Sequence, residues 1–147
     1  MNFYDYLETS KTRATEEKDV LDYLSDKNNL DRIEVRAAKN SFQVLIENLI
    51  GKSKKILKYF NCPIIPQRSK DSIYILYEVG VIDDIQYKEF NSAIGFRNIM
   101  IHDYLEFNED ILKTALKEKK YKIIFDFIVQ DDKFSQTVIK RIENFSF

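Results

Sequence analysis

The sequence has few of the residues on which many folds and sites depend. Its 147 residues include one cysteine, one histidine, three glycines, two prolines and no tryptophan. The single Cys62 excludes an intrachain disulfide and a cysteine-based zinc cluster. The single His102 excludes a metal face built from two histidines. Carboxylates could still hold magnesium, but we expect chemistry that requires neither a metal nor another cofactor.

The scarcity of glycine and proline also bears on fold class, because it leaves little turn chemistry for a multi-stranded sheet and favours long helices. A content of 44% hydrophobic and 32% charged residues is typical of a globular protein, and this length predicts one domain over 1–147. No apolar run reaches eighteen residues, and residues 1–10 lack the pattern of a signal peptide. We therefore expect a cytoplasmic protein without a membrane span.

The formal net charge of −1 and the pI near 5.9 argue against a protein that coats nucleic acid non-specifically. Local basic patches remain possible, although lysine groups are usually solvated faces. Two such groups occur in the sequence, namely Lys52, Lys54, Lys55 and Lys58, and Lys117, Lys119, Lys120 and Lys122.

The spacing of apolar residues predicts an all-α protein, an antiparallel bundle of about five to six helices. The helices are expected at about 1–25, with a possible break near 8–13, then at about 29–60, 69–79, 84–104, 108–116 and 120–144. Asp31 with Glu34 has the spacing of a capping box, and Asp83 with Gln86 follows the same capping logic. We expect Ser69 or Asp71 to cap the third helix, which ends at Gly80.

The fourth predicted helix contains a polar interruption of its apolar face. Arg97 and Asn98 fall where the core stripe should continue, while His102 and Tyr104 lie on its two flanks. Because arginine and asparagine are rarely buried without partners, the interruption indicates a polar cleft or an interface. The stripe itself consists of Phe90, Ile94, Ile101 and Leu105.

Gly95, just before these polar residues, is costly within a helix, by about 1 kcal/mol relative to alanine. We therefore expect another helix or backbone to approach closely at Gly95. A purely structural interpretation also exists, in which Arg97 pairs with an acidic partner and His102 is an ordinary surface residue near a helix end.

Residues 95–104 contain the words Gly95-Phe96-Arg97-Asn98 and His102-Asp103-Tyr104. They resemble the R-x4-H-x-Y signature of the HepT-like toxins of the HEPN superfamily. That family more often has glutamate at the position of Asp103. A weaker resemblance to the family's second helix lies in Arg36-Ala37-Ala38 and the amphipathic run that follows.

The resemblance, alignable from about Arg36 to Leu116, implies a HEPN-like helical fold and a homodimeric ribonuclease with Arg97 and His102 at a composite site. It also implies that Tyr104 accepts AMP groups from a partner minimal nucleotidyltransferase, which acts as the antitoxin. A bulky anionic group beside Arg97 and His102 would block RNA by sterics and charge. In the purely structural alternative, Tyr104 is a partly buried ring at the edge of the cleft.

The residues themselves are compatible with this chemistry. Metal-free cleavage of RNA needs a base for the ribose 2′-hydroxyl, an acid for the leaving oxygen and cationic donors for the phosphorus centre. His102 suits the acid or base role, and the planar guanidinium of Arg97 suits the phosphate. Because one histidine cannot easily serve as base and acid in one step, a two-fold dimer that supplies a second is expected. Asn98 either orients this cleft or merely fills it.

Two other functions remain open from the sequence. The first is a non-catalytic helical subunit that binds a nucleotide or docks onto a nucleotidyltransferase, with Arg97 and His102 as phosphate ligands. The second is a structural dimerisation module in which Arg97 pairs with an acid such as Glu89 of another helix.

Overall fold

The computed structural model describes residues 2–102, 105 and 107–147. This part of the chain contains helices and no strands, which confirms the predicted all-α fold. Within these residues, no helix is both long and apolar enough to cross a membrane. Seven helices are described, in the order α1 (Phe3–Ser25), α2 (Arg32–Tyr59), α3 (Ser69–Val79), α4 (Asp84–His102), α5 (Glu109–Lys117), α6 (Tyr121–Val129) and α7 (Gln136–Glu143).

Helix α2 is the longest helix, and it packs against α1, α3, α4, α5 and α6. Its amphipathic pattern places a continuous row of leucine and isoleucine side chains in the core. The predicted capping box is confirmed, because Asp31 Oδ1 accepts a hydrogen bond from the Glu34 amide at 2.8 Å and Glu34 Oε1 accepts one from the Asp31 amide at 3.0 Å. Helix α1 is continuous, so the possible break near residues 8–13 is absent.

The end of α3 and the start of α4 are determined by residues within one turn of each helix end. Gly80 adopts the left-handed conformation with φ 89° and ends α3, as predicted. The reciprocal hydrogen bonds between Asp83 and Gln86, at 2.8 and 2.9 Å, start α4. The predicted cap of α3 is wrong, because its N-cap residue is Arg68 and no side chain caps this end.

The last predicted helix is also wrong, since the segment forms two helices. Helix α6 ends at Val129, where Gln130 turns to an extended conformation, and α7 begins after Ser135. The Ser135 hydroxyl accepts a hydrogen bond from the Val138 amide at 3.2 Å, which is the signature of a new N-cap. The polar residues 131–133 therefore mark a true interruption of the helix.

Tyr121 fixes the start of α6 against α1 and α2. Its hydroxyl donates to Asp22 Oδ1 at 2.6 Å, and its ring packs edge-to-face on Phe42 with centroids 5.9 Å apart. Burial and the neighbouring Asp22 carboxylate raise the pKa of Tyr121 to about 12.

Lys52 is the buried cation that explains where α6 ends. Its Nζ donates to the carbonyl oxygens of Phe127, Ile128 and Gln130 at 2.7, 3.0 and 3.2 Å, and it lies 3.3 Å from Asp132 Oδ1. Burial lowers the pKa of the Lys52 ammonium and raises that of the Asp132 carboxyl, while their mutual attraction opposes both shifts. Lys52 therefore caps a helix end and does not belong to a solvated basic patch.

We predict that Lys52→Met lowers the free energy of unfolding by about 3–5 kcal/mol. The substitution leaves the Asp132 carboxyl buried without its cation and three carbonyl oxygens without their donor. Urea unfolding checks this, with Lys58→Met as the control because Lys58 is exposed on the same helix. Equal losses in the two variants would show that the buried contacts contribute nothing.

Candidate functional site

The second half of α4 carries the predicted site, and it packs differently from the first half. Phe90 and Ile94 are buried, as predicted, but the next buried residue of α4 is Met100. Ile101 is 36% exposed and Leu105 is 85% exposed, so the prediction that they continue the core stripe is wrong.

The reason for this change is aromatic packing around Phe96. Its ring lies edge-to-face on Phe42, with centroids 5.7 Å apart, and 5.9 Å from the ring of Phe107. This contact turns Phe96 and Met100 toward the core and leaves Ile101 at its edge. Hydrophobic periodicity alone does not reveal such a shift, because Ile101 still falls on the extrapolated stripe.

Arg97 is partly buried on α4, between the core side with Phe96 and Met100 and the edge at which Ile101 lies. Its Nε atom is buried and has no hydrogen-bond partner among the residues described. A buried guanidinium nitrogen is costly to leave without an acceptor. The position therefore suits a side chain that meets an anionic group outside the described residues.

Asn98 and His102 lie one helical turn apart on the uncovered side of α4. Asn98 is partly buried and His102 is exposed in the last turn of the helix. Five residues of α-helix rotate about 140° and rise about 7.5 Å, so Arg97 and His102 leave α4 in different directions. Within one chain, the helix places them near each other but not on one face.

Sequence reasoning did not single out Ile99, which is 44% exposed beside His102. Gly95 lies near this uncovered side of α4, and a Cβ built at its position meets no described atom within 4 Å. The close approach expected at Gly95 therefore does not occur among the described residues of one chain. A helical projection of residues 95–102 identifies the uncovered side of α4 only once Phe96 is known to face the core.

Tyr104, the predicted acceptor of AMP, and Asp103 lie outside the described residues. The structure therefore places three of the four predicted site residues, namely Arg97, Asn98 and His102. In the described ranges, no group of three or more His, Cys, Asp or Glu residues is arranged to hold a metal ion.

A cleft of about 380 Å³ lies on the other side of Phe96, between α2, α4, α5 and α6. Its walls are mainly apolar, from Phe42, Ile46, Phe96 and Ile124, and none of Arg97, Asn98 and His102 lines it. Glu89, Asp110 and Lys120 also line the cleft, but it contains neither the arginine nor the histidine of the predicted site. The candidate site is the face of α4 and not this cleft.

The family described as Ribonuclease HepT-like matches residues 9–131 of the sequence, which includes Arg97, Asn98 and His102. The chain belongs to the HepT-like family. The resemblance found in the R-x4-H-x-Y stretch is thereby confirmed. Among curated proteins, no sequence matches this chain.

Two solved structures share the HepT-like fold. One is a chain of a toxin–antitoxin complex crystallised with AMP-PNP, which is 21% identical with a TM-score of 0.71 over 87% of this chain and 99% of that chain. The other belongs to a complex of the tri-AMPylated HEPN toxin of Shewanella oneidensis with an MNT antitoxin. It has the same identity and TM-score over 87% of this chain and 98% of that chain. These likenesses establish the fold.

Proposed function

We propose that this HepT-like protein is the toxin of a toxin–antitoxin pair and a metal-independent endoribonuclease. In this proposal its site forms from Arg97 and His102 in the cleft of a homodimer, with Asn98 in support. The observation that carries the proposal is the position of the motif. The three residues lie within the family match, on the half of α4 that its own chain leaves partly uncovered.

The proposed reaction is an attack of the ribose 2′-oxygen on the adjacent phosphorus. One His102 removes the 2′-hydroxyl proton, and His102 of the partner subunit protonates the departing 5′-oxygen, so the products are a 2′,3′-cyclic phosphate and a free 5′-hydroxyl. Arg97 donates to the non-bridging oxygens, whose negative charge grows as the new bond forms. A second histidine is required because one imidazole cannot give and take a proton in the same step.

Three observations support a dimer through the uncovered side of α4. Ile99 and Ile101 of α4 and Leu105 after it expose apolar surface near His102, which an interface would remove from water. Gly95 has no described atom within 4 Å of a built Cβ, which leaves room for another helix to approach. A two-fold contact is self-complementary, so it would gather both copies of Arg97 and His102 in one cleft even though they diverge on a single helix.

We further propose that Tyr104 is the regulatory position, modified by a minimal nucleotidyltransferase that serves as the antitoxin. The phenol oxygen would attack the α-phosphate of ATP and release pyrophosphate, which leaves AMP attached to the tyrosine. The added phosphate is an anion two residues from His102 and would compete with RNA for Arg97. The AMPylated HEPN toxin that shares this fold supports the idea.

We propose that the protein works in the cytoplasm, because both proposed substrates, RNA and ATP, are found there. We also propose that residues 1–147 form one domain.

We predict that the protein cleaves a labelled mixed RNA pool in excess EDTA and leaves cyclic phosphate ends. His102→Ala should lower the rate by about 10²–10⁴-fold because the proton transfers lose their carrier. Arg97→Ala should lower it by about 10²–10³-fold. Arg32→Ala, which removes an exposed arginine at the start of α2, is the matched control.

These rates should be compared at equal folding and equal dimer content. If the wild type is inert, the mass of Tyr104 should be checked for added AMP. Inert and unmodified protein would contradict the ribonuclease and favour a non-catalytic subunit that binds nucleotide or docks onto a nucleotidyltransferase.

We predict opposite effects of Gly95→Ala on the protomer and on the dimer. A methyl group at this position meets nothing within the described chain and improves helix propensity by about 1 kcal/mol, so the dissociated protomer should unfold at higher urea. Equilibrium sedimentation should show weaker association, with a larger loss for Gly95→Leu. A dimer that tolerates Gly95→Leu unchanged would place the interface elsewhere.

We predict that a minimal nucleotidyltransferase encoded beside this protein adds AMP to Tyr104 in the presence of ATP. Intact mass should rise for the wild type and should stay constant for Tyr104→Phe. It should also rise for the control Tyr23→Phe, which changes an exposed tyrosine distant from Tyr104 in the sequence. Cleavage by the wild type should fall as the modified fraction rises. AMP on Tyr104→Phe would assign the acceptor to another residue.

A further inference from the structure

A groove follows the outer seam between α1 and α2, away from α4. It consists of two adjoining clefts of about 320 and 350 Å³, and Tyr6 lines both of them. The ring of Tyr6 lies across Gly51 of α2, where a built Cβ would be 2.5 Å from the tyrosine oxygen. We call this feature the α1–α2 groove, and the residues that matter for it are Tyr6, Ser10, Asn48, Lys55, Lys58 and Tyr59.

Two residues of the first cleft carry polar atoms that lack partners. Ser10 is 5% exposed and lines the cleft from α1, while Asn48 lines it from α2. Ser10 Oγ and Asn48 Nδ2 are both buried without a hydrogen-bond partner among the described residues. Both atoms are closed off from the cleft, so they belong to the polar seam between α1 and α2 and offer a ligand no contact of their own.

The second cleft is cationic and aromatic. Lys55 and Lys58 are exposed on it, and the ammonium of Lys55 lies 5.3 Å from the centroid of the Tyr6 ring. The stretch 48–70 contains no aspartate or glutamate, although the whole chain has a net charge of −1. Positive charge is therefore concentrated at this end of the groove.

The Tyr59 ring borders the same lysines, and the Tyr4 ring lies against Tyr59. Tyr59 is 44% exposed and Tyr4 is 64% exposed, with ring centroids 6.0 Å apart. Tyr59 stacks on Phe3 at 4.3 Å, which holds its ring in place before any ligand arrives. Ordered aromatic rings beside lysines are the combination that binds the bases and phosphates of single-stranded nucleic acid.

We propose that the α1–α2 groove binds single-stranded RNA. Lys55 and Lys58 contact phosphates, and Tyr59 and Tyr4 stack with bases. Glu47 and Arg13 both line the first cleft, so the charges there offset each other and the RNA backbone passes the lysine end. Charge and ring content favour RNA over a protein partner.

The groove is separate from the Arg97 and His102 site. Ile46 faces the cleft beside Phe96 of α4, whereas Lys55 follows it by nine residues and lies about 180° around α2. An RNA that occupies both places must extend across the bundle. The inference rests on the proposed function only in that RNA is the substrate. Its content is that the groove is a second site, which binds long RNA substrates.

The test measures binding of a fluorescein-labelled, unstructured RNA of about 20 nucleotides, long enough to exceed one site. The protein is the full chain carrying His102→Ala, so that the probe is not cut. Lys55→Gln with Lys58→Gln should raise Kd about tenfold and reduce the salt dependence of log K by about 1.4, which is the share of two phosphate contacts. Lys117→Gln with Lys122→Gln removes the same charge from the other lysine group and should leave Kd within about twofold.

A further variant, Tyr59→Leu, tests base stacking at an exposed ring. RNA binding should weaken about fivefold or more, since a base loses the ring on which it stacks. Unchanged affinity for this variant would show that Tyr59 takes no part in RNA binding and would contradict the proposal.

Other outcomes would overturn the groove as a whole. Equal losses in the two double-lysine variants would show diffuse attraction, and a loss confined to the Lys117 and Lys122 variant would move the site there. Groove variants that bind RNA normally but lose a minimal nucleotidyltransferase would make the groove a protein-docking surface.

The outcomes for the two proposals differ. Groove-dependent binding by a wild type that cleaves nothing would refute the ribonuclease and leave the groove. Normal cleavage of long RNA with unaltered binding in every groove variant would refute the groove and leave the ribonuclease.

Discussion

The ammonium of Lys52 is the contact on which the arrangement of the helices depends. It projects from the middle of α2 and holds the last carbonyl oxygens of α6, while Asp132 supplies the opposite charge. The adjoining Asp131 lies 3.5 Å from Lys11 of α1. Three helices are therefore joined at one point by charged groups and not by apolar contact alone. An ammonium without these acceptors could not remain there, so the end of α6 is fixed as strictly as any core residue.

The fixed position of α6 has consequences for α4. Tyr121 at the start of α6 packs edge-to-face on Phe42, and Phe42 packs edge-to-face with Phe96. The turn of α4 that follows Ile94 is set by this aromatic series, which decides that Met100 faces inward and Ile101 lies at the edge. The candidate site on α4 is thus oriented by packing that begins on the far side of α2. In a HepT-like protein, this leaves His102 and Asn98 available to another molecule.

Features encoded by neighbouring residues could be predicted from the sequence. The capping pairs at Asp31 and Asp83 and the left-handed Gly80 need only residues within one turn, and each is confirmed. The end of α6 could not be predicted, because its cause is a lysine 75 residues earlier in the chain. The exposure of Ile101 and Leu105 was missed for a related reason. An apolar side chain has the same periodicity whether its own core or another surface covers it. The motif itself was recognised from residue identity, whereas the direction of each side chain depends on the packing around Phe96.

Gly51 shows how a residue without a side chain can shape a surface. Because its missing Cβ provides the room in which the Tyr6 hydroxyl lies, the width of the α1–α2 groove depends on two positions that are 45 residues apart in the chain. Among relatives, the two positions are expected to vary together. A larger residue at 51 should accompany a smaller residue at 6, and lineages that change only one of them should have a groove of different width. If the groove binds RNA as proposed, divergence at this pair would record an altered ligand preference that can be read from sequences alone.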